Sequence, residues 1–157
     1  MFADGPIEGV VIRPLKRFTD HRGWLTEVYR NDEVDEPFRP VMMYISETKP
    51  GVARGPHEHV DQADTFGFIG PSDFRLYLWD WREKSPTYKN RIKVVVGESN
   101  PAAVIIPAGV VHAYKNVGPG AGWVLNCPNR LYKGEGKKEP VDEIRHEDVE
   151  NSPFVLD

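Results

Sequence analysis

Three histidines in two short motifs are the residues of this sequence best placed to do chemistry. His57 and His59 stand one residue apart shortly after Gly51, and His112 follows a Pro-x-Gly sequence that begins at Pro107. Side chains alternate along an extended strand, so His57 and His59 project from the same face, roughly 6–7 Å apart. A third imidazole brought beside them would complete a reaction centre or a metal site.

The metal interpretation requires a fourth ligand beside the imidazoles. Three histidines with a carboxylate suit zinc, iron, manganese or nickel. The spacing Gly-x5-His-x-His, followed by Pro-x-Gly-x2-His, resembles the two signature motifs of the cupin superfamily, whose metal-binding members add a glutamate after the histidine pair. Here only Asp64 could replace that glutamate as a hard ligand, one residue out of register. This interpretation predicts a divalent ion held by four side chains, those of His57, His59, Asp64 and His112.

Short β-type runs separated by turn residues make up most of the chain. Fourteen glycines and fourteen prolines punctuate them, and Phe74, Leu76 and Leu78 alternate like one face of a strand. Only residues 140–149 show a helical pattern, behind a proline start. With the cupin motifs, this pattern predicts an all-β fold, a cupin double-stranded β-helix jelly roll with at most one short C-terminal helix. We expect a single cupin domain over residues 1–157, with residues 1–8 mobile or exchanged as a strand with a neighbouring chain.

Composition excludes several classes of protein. The net charge of -4 and the pI near 5.7 leave no basic stripe for a nucleic acid. The single cysteine, Cys127, rules out an intrachain disulfide and fits a reducing compartment. The first residues lack a signal-peptide pattern, and the longest apolar stretch, residues 102–111, is too short to span a bilayer. We therefore expect a cytoplasmic protein that binds neither nucleic acid nor membrane.

Three further segments indicate a more specific resemblance. Residues 18–27 have the order Phe-x-Asp-x-Arg-Gly-x-x-x-Glu, residues 54–57 read Arg-Gly-x-His, and residues 80–88 read Asp-x-Arg-x-x-Ser-Pro-Thr-Tyr. All three resemble segments of the dTDP-4-dehydrorhamnose 3,5-epimerases, in that family's order, and the resemblance covers residues 7–130. It implies an isomerase that epimerises carbons beside a 4-keto group in deoxysugar or surface polysaccharide biosynthesis. Its substrate would be a nucleotide-diphosphate deoxysugar.

The resemblance also implies roles for individual residues. Epimerisation needs a base to remove a C–H proton and a group to hold the enolate oxygen, and histidine suits the base because its ordinary pKa is about 6.5. By the resemblance this base is His57, while Arg54 holds a phosphate or the enolate oxygen. Arg22 and Glu27 match positions that, in the family, reach the nucleotide of a neighbouring subunit. The resemblance therefore implies a homodimer.

The other two histidines and several neighbouring residues are predicted to support the proposed base. We expect His59 to assist catalysis and His112 and Tyr114 to bind the substrate. Tyr114 shares a strand face with His112, two residues away, and is also a candidate for the general acid. Asp80, Arg82 and Ser85 are expected to fix a loop rather than to contact substrate. Because the substrate's own ketone stabilises the carbanion, the epimerase interpretation needs no organic cofactor and no metal.

The chain departs from the family pattern at the general acid. The family places a catalytic tyrosine where this chain has Asn126, and asparagine cannot deliver a proton at neutral pH. Met42 and Tyr44 replace amide side chains that contact the sugar in the family. A C-terminal aspartate that orients the base in the family has only Asp142 and Asp148 as stand-ins here.

Two alternatives follow from these departures. Arg-Gly-x-His-x-His also resembles the nucleotide-sugar 3,4-ketoisomerases, in which a base moves a proton between neighbouring carbons on one face of an enediol. His57 and His59 could do this without an acid on the opposite face, while Tyr44 could serve as a nearby acid. The second alternative is a cupin that binds a sugar nucleotide or a metal without turnover.

Overall fold

Strands provide nearly all the regular structure of the protein. The computed structural model describes residues 1–157. Its thirteen strands are β1 (Ala3–Asp4), β2 (Val11–Pro14), β3 (Phe18–Asp20), β4 (Gly23–Leu25), β5 (Tyr44–Thr48), β6 (Ala53–Glu58), β7 (Asp64–Phe68), β8 (Asp73–Asp80), β9 (Asn90–Gly97), β10 (Ala102–Ile106), β11 (Val110–Asn116), β12 (Gly122–Asn126) and β13 (Ile144–Arg145). The helical segments are two short 3₁₀ turns, Glu36–Phe38 and Glu135–Lys137. No helix has the length and apolar character needed to cross a membrane.

The strands assemble into two sheets that pack against each other. One has six strands in the order β1-β9-β8-β11-β6-β13, and the other has five in the order β2-β10-β7-β12-β5. The pairing of β1 with β9 is parallel, and the other pairings are antiparallel. β3 and β4 form a separate hairpin. Strands that are distant in sequence thus lie side by side, and the predicted all-β jelly roll is confirmed.

The main core lies between the two sheets and follows from the alternation of the strands. On β8, Phe74, Leu76 and Leu78 point into it and have no exposed surface. They meet Phe66 and Phe68, which β7 contributes from the other sheet. The prediction that these three side chains share one face of a strand is confirmed, and burial of each contributes about 1.5–3 kcal/mol of free energy.

The opposite face of β8 is also buried, beneath the end of the chain. Tyr77 and Trp79 stack with 5.8 Å between ring centroids, and Phe154 packs on Trp79 at 5.6 Å. Lys93 Nζ lies 2.6 Å from a carboxylate oxygen of Asp157, which holds the last residue against β9. The C-terminal segment therefore folds back across the six-stranded sheet.

The helix predicted over residues 140–149 is not formed, so that prediction was wrong. Ile144 and Arg145 instead pair with Glu58 and His57 as strand β13. The carboxylate of Asp142 accepts hydrogen bonds from three backbone N–H groups of residues 60–62. These long-range bonds require an extended backbone, and they outweigh a weak local apolar pattern.

Residues 1–8 pack on their own chain in this structure. Ala3 donates its backbone N–H to the Lys89 carbonyl, and β1 continues in register along β9. Ile7 is buried in the main core. Exchange of this strand between two chains stays a prediction.

Candidate active site

Strands β6 and β11 bring the three motif histidines together. β11 pairs with β6, and His112 lies directly opposite His57 in the register. The ring centroid of His57 lies 4.5 Å from that of His112 and 5.8 Å from that of His59. His59 and His112 are 5.5 Å apart by the same measure. Two motifs that are distant in sequence therefore form one imidazole cluster between the sheets.

A glycine on β6 allows this close approach. Gly55 has a φ of +81°, and a Cβ added there would lie 2.5 Å from the backbone oxygen of His112. The pairing also shifts register between His112 and Tyr114. Only a residue without a side chain fits this backbone conformation and this contact. The local geometry of β6 thus sets the separation of the imidazoles.

Asp64, on the neighbouring strand β7, places a buried carboxylate against the cluster. Its Oδ2 lies 3.0 Å from Nε2 of His59 and 3.5 Å from Nε2 of His112. Its Oδ1 accepts hydrogen bonds from the amides of Gln62 (2.9 Å) and Asn126 (3.1 Å). Burial alone would raise the pKa of Asp64, but the imidazoles and the Asn126 amide lower it to about 2.

The other side of each buried ring is fixed by a backbone carbonyl. His112 Nδ1 lies 3.0 Å from the Val110 carbonyl oxygen, and His59 Nδ1 contacts the carbonyl oxygen of Asp142. Asp142 was one of two residues predicted to replace the family's aspartate that orients the base. It contacts His59 through its backbone carbonyl rather than through its carboxylate. The ring of His57 has no comparable bond.

The three imidazoles differ in how their surroundings shift their pKa values. Burial and the neighbouring rings of His112 and His59 lower the pKa of His57 to about 2. Burial also lowers the pKa of His112. Burial opposes protonation of His59 as well, but its contact with Asp64 outweighs that effect and raises its pKa.

A cavity of about 480 Å³ opens beside the cluster between the two sheets. Its lining is mostly polar and comprises Tyr44, Ser46, Ala53, Arg54, Gly55, His57, His59, Phe66, Tyr114, Glu143, Arg145 and Glu147. A wider groove of about 1380 Å³ adjoins it along residues 128–145 and shares Tyr44, His59, Glu143 and Arg145 with it. The two together are large enough for a drug-sized or larger ligand.

Two tyrosines line this cavity, Tyr44 from β5 of the five-stranded sheet and Tyr114 from β11 of the six-stranded sheet. The hydroxyl oxygen (Oη) of Tyr44 accepts a 2.9 Å hydrogen bond from the Asn126 side-chain amide, and burial raises the pKa of the phenol. Tyr114 lies 3.1 Å from the Ser46 hydroxyl, and burial raises its pKa also. Asn126 itself is buried beneath Tyr44 and is not part of the cavity lining.

The charged residues predicted to bind the substrate fall in two different places. Arg54 lines the cavity, where its guanidinium donates to Thr48 Oγ1 (3.0 Å) and to the Glu47 carbonyl (2.7 Å). Arg22 lies on the exposed β3–β4 hairpin and pairs with Asp20 at 2.5 Å. Glu27 follows the same hairpin, 3.4 Å from Arg30. Neither Arg22 nor Glu27 is part of the cavity lining.

The sequence did not reveal the C-terminal wall of the cavity. Glu143, Arg145 and Glu147 line it because β13 adds to β6 beside the histidines. The helical interpretation of residues 140–149 gave no reason to place them there. The one residue of this segment that the sequence had singled out was Asp142, whose carboxylate holds the turn at residues 60–62.

The cluster also has the donor atoms of a metal site. One ring nitrogen from each of His57, His59 and His112 lies within 4.8 Å of the other two. Imidazoles with a buried carboxylate suit divalent transition-metal ions. The geometry therefore serves either proton transfer or ion binding.

A two-sheet β jelly roll with histidines converging between its sheets defines a cupin. Among known proteins, the probable low-salt glycan biosynthesis epimerase Agl13 of Haloferax volcanii is 36% identical over 135 residues, which cover 85% of each chain. The spore coat polysaccharide biosynthesis protein SpsL of Bacillus subtilis is 34% identical over 113 residues, 71% of this chain and 73% of that protein.

A solved structure and a family model extend the comparison. The fold resembles that of dTDP-6-deoxy-D-glucose-3,5-epimerase RmlC from Legionella pneumophila in complex with dTDP-4-keto-L-rhamnose, with a TM-score of 0.77 and 20% identity. That match covers 97% of this chain and 82% of the other. The model of the dTDP-4-dehydrorhamnose 3,5-epimerase family matches residues 4–148. The chain belongs to this family.

Proposed function

We propose that this chain is a nucleotide-sugar epimerase that acts beside the ketone of a 4-keto deoxysugar nucleotide, in the synthesis of a glycan or surface polysaccharide. The observation that carries the proposal is the cavity between the sheets, which His57 lines from one sheet and Tyr44 from the other. Inversion of a carbon needs a base on one face of a planar enolate and an acid on the other. Membership of the epimerase family supports the substrate class.

His57 is the proposed base. Backbone carbonyls hold the rings of His59 and His112, whereas the His57 ring lines the cavity without such a bond. The lowered pKa of His57 keeps its imidazole neutral at neutral pH, and the neutral ring is the form that can take the proton from the carbon next to the ketone. The electron pair of that C–H bond moves onto the ketone oxygen, and the site must stabilise the resulting enolate.

Tyr44 is the proposed acid. The amide of Asn126 donates to the Tyr44 oxygen, which leaves the phenolic O–H free to donate toward the cavity. Its raised pKa keeps the phenol protonated at neutral pH. Asn126 then acts as a positioning residue, because it joins the Tyr44 hydroxyl to the carboxylate of Asp64.

Cations along the cavity and the groove are proposed to hold the nucleotide diphosphate. Arg54 and Arg145 line the cavity, and Arg130 and Lys133 line the adjoining groove. The planar fork of arginine suits a diphosphate because it donates two parallel hydrogen bonds. His112 is too deeply buried to touch the nucleotide and acts through the other imidazoles.

A homodimer is part of the proposal, with Arg22 and Glu27 contributing to the nucleotide site of a second chain. The β3–β4 hairpin exposes Phe18, Trp24 and Leu25, whose exposed fractions are 49%, 49% and 60%. A second copy would cover this apolar patch. Light scattering tests it: the wild type should have twice the chain mass, and Trp24→Asp should shift it toward the monomer. A wild-type monomer would contradict this part of the proposal.

A cytoplasmic location also belongs to the proposal. Cys127 is a free and buried thiol, which fits a reducing compartment. The nucleotide-sugar substrate class points to the same place, since nucleotide-linked sugars are made from intracellular nucleotides.

Proton exchange tests the proposed chemistry directly. The purified protein is incubated with dTDP-4-keto-6-deoxyglucose in deuterated water, and the sugar is followed by NMR. Deuterium at C3 or C5 with inversion of that carbon is the expected result. A ketone moved to C3 would favour the ketoisomerase alternative, and nucleotide binding without exchange would favour a binding protein; either result overturns the proposal.

A matched pair of histidine variants tests the base. His57→Ala should lower the exchange rate about 10²–10⁴-fold, the usual size of a general-base contribution. His21→Ala, which removes an exposed imidazole from the hairpin turn, should exchange at the wild-type rate. Wild-type exchange in His57→Ala would remove His57 from the proposed role.

A further inference from the structure

Strand β13 carries part of the cavity wall but has few contacts of its own. It consists of Ile144 and Arg145 only, at the edge of the six-stranded sheet, and both residues are exposed. Directly after it, the backbone N–H groups of His146 and Glu147 both donate to the Pro56 carbonyl (2.9 Å and 3.1 Å). An exposed edge strand of two residues opens at little cost, so the position of this wall depends on what holds its ends.

Successive side chains of this segment alternate between the cavity and the opposite side. Glu143, Arg145 and Glu147 line the cavity. His146 is directed away from it, and its Nε2 donates to Glu58 Oε1 (2.8 Å) outside the cavity lining. Because neighbouring side chains of an extended segment point to opposite faces, a fixed ring at His146 also fixes the direction of the two residues beside it.

The end of the chain packs on the outer side of His146. The ring centroid of Phe154 lies 4.6 Å from that of His146. Phe154 is 3% exposed, and its ring also packs on Trp79 and Trp81 at 5.6 Å and 5.5 Å. One aromatic side chain thus joins the outer face of the six-stranded sheet to the segment that carries the cavity wall.

Polar contacts at the last residue close this segment. Tyr77 Oη donates to the backbone oxygen of Asp157 (2.6 Å), and Lys93 Nζ pairs with the Asp157 carboxylate (2.6 Å). Chain ends are poorly ordered unless such contacts hold them. Val155, which lies between the two points of attachment, is 69% exposed. Phe154 and Asp157 are therefore the anchors of the C-terminal segment.

We propose that residues 146–157 form a clasp, in which His146 and Phe154 are positioning residues that hold Arg145 in the cavity wall. With the clasp in place, the Arg145 guanidinium donates to Glu147 Oε1 (3.0 Å). When Phe154 leaves its site, the short β13 pairing and the two bonds to Pro56 are all that hold the segment after Arg145. The wall then moves away from β6, and its guanidinium leaves the cavity.

The two ends of β13 should affect different steps of the reaction. Before the strand, the Asp142 carbonyl contacts the ring of His59. After the strand, His146 bonds to Glu58 and packs on Phe154, outside the histidine cluster. A loosened clasp should therefore weaken substrate binding and leave proton abstraction intact. This effect rests on the proposed function, in which Arg145 holds the diphosphate, whereas the coupling of the tail to the wall does not.

Amide hydrogen exchange tests the coupling without substrate. Exchange of residues 143–148 is compared by mass spectrometry in the wild type, Phe154→Ala and Val155→Ala, two truncations in the same segment. Phe154→Ala should exchange these amides at least about tenfold faster, because local opening costs less, and Val155→Ala should match the wild type. Residues 60–62, which Asp142 holds, should keep their protection in both variants. Equal protection of residues 143–148 in all three proteins would overturn the clasp.

Steady-state kinetics with dTDP-4-keto-6-deoxyglucose test the positioning role. Phe154→Ala should raise KM at least about tenfold, the loss expected for one hydrogen bond to a charged group, and keep kcat within about twofold. His146→Ala should do the same, and it replaces Phe154→Ala in both experiments if circular dichroism shows that Phe154→Ala is unfolded. His146→Gln, whose amide can donate to Glu58, should recover part of the loss. A lower kcat at unchanged KM would overturn the positioning role.

A double-mutant cycle identifies the residue through which the clasp acts. Arg145→Ala should raise KM by itself, and Phe154→Ala should raise it no further in that background. Effects that multiply would overturn action through Arg145. A wild type without proton exchange would overturn the proposed function alone, since the amides of residues 143–148 still decide the clasp. Normal turnover with no change at those amides in Phe154→Ala would overturn the clasp alone.

Discussion

The hydroxyl of Tyr44 accepts a hydrogen bond of 2.9 Å from the amide of Asn126, its direct partner across strands β5 and β12. Asn126 stands at the position where the family resemblance places a catalytic tyrosine. The phenol is therefore one strand away from that position, on the same side of the sheet as the Asn126 side chain. A short asparagine beneath it fills the space and fixes its oxygen.

Removal of this hydroxyl separates proton abstraction from inversion. In Tyr44→Phe, His57 can still take the C–H proton and return deuterium from the same face. The acid on the opposite face is lost, and such a group contributes about 10²–10⁴-fold to rate. We expect exchange to persist while the epimerised product falls by that factor, as measured by NMR of the sugar in deuterated water.

Tyr29→Phe is the control for this prediction. Tyr29 carries a hydroxyl bonded to Asn31 in an exposed turn outside the cavity lining. That variant should form epimerised product at the wild-type rate. An undiminished rate of inversion in Tyr44→Phe would shift attention to Tyr114 as the acid.

The class of fold and the convergence of the three histidines could be predicted from the sequence. The period of two in a strand puts His57 and His59 on one face. The same period puts Phe74, Leu76 and Leu78 on one face of β8. Both of these features depend on local spacing, whereas the position of His112 beside the other two rings was predicted from the cupin resemblance.

Features that depend on contacts distant in sequence could not be predicted in this way. Residues 140–149 carry a weak helical pattern, but their hydrogen bonds to β6 and to residues 60–62 decide their conformation. The position of Asp64 between two imidazoles depends on the register of β7 within the other sheet. A one-residue change of register would turn that carboxylate away from the cluster.

The Asp142 carboxylate is expected to stabilise the turn that follows β6. It accepts hydrogen bonds from the backbone N–H groups of Val60 (2.7 Å), Asp61 (2.9 Å) and Gln62 (2.9 Å). These bonds lower its pKa against the opposing effect of burial. Asp142→Ala should lower the free energy of unfolding by about 1–2 kcal/mol, measured by urea denaturation.

The same substitution should slow catalysis, because the Asp142 carbonyl also contacts the ring of His59. Asp148→Ala is the control, since that exposed carboxylate lies 3.4 Å from Arg145 in a surface ion pair. Such pairs contribute little, so its unfolding free energy should change by less than about 0.5 kcal/mol. Equal stability of the two variants would show that the three backbone bonds do not hold the turn.

Asp80 should make the stability of the fold depend on pH in the acid range. The carboxylate has no exposed surface and accepts hydrogen bonds from Arg82 (2.9 Å), Ser85 (2.6 Å) and Thr87 (2.6 Å). Burial would raise its pKa, but these bonds lower it to about 2. Asp80 does not line the cavity, and its partners fix the loop before β9, as the sequence predicted.

The direction of the effect follows from the lowered pKa. The unfolded chain binds a proton at Asp80 with the ordinary pKa of about 3.9, so the stabilisation is complete above pH 5 and is lost as the pH falls toward 2. Asp80→Asn should be less stable than the wild type by about 2 kcal/mol at pH 7. Urea denaturation at pH 7 and pH 2.5 should show this difference shrinking, because at pH 2.5 the unfolded wild-type chain binds a proton at Asp80 whereas the folded carboxylate, with its pKa of about 2, is still mostly ionised. A constant difference at both pH values would contradict the assignment.

Gly55 is expected to be irreplaceable because of what lies beside it rather than because of its φ alone. Gly51, at the turn before β6, has a similar φ of +73° but open space where a Cβ would stand, whereas a Cβ on Gly55 would meet the His112 carbonyl oxygen at 2.5 Å. Gly51→Ala should lower the free energy of unfolding by about 1 kcal/mol, the cost of a left-handed alanine. Gly55→Ala should lower the free energy of unfolding by about 1–3 kcal/mol more than Gly51→Ala does, because β6 and β11 must move apart.

The same movement should separate His57 from His112, so the rate of proton exchange should fall in Gly55→Ala and not in Gly51→Ala. Equal stability and equal exchange rates in the two variants would show that the strand contact does not set the spacing of the imidazoles.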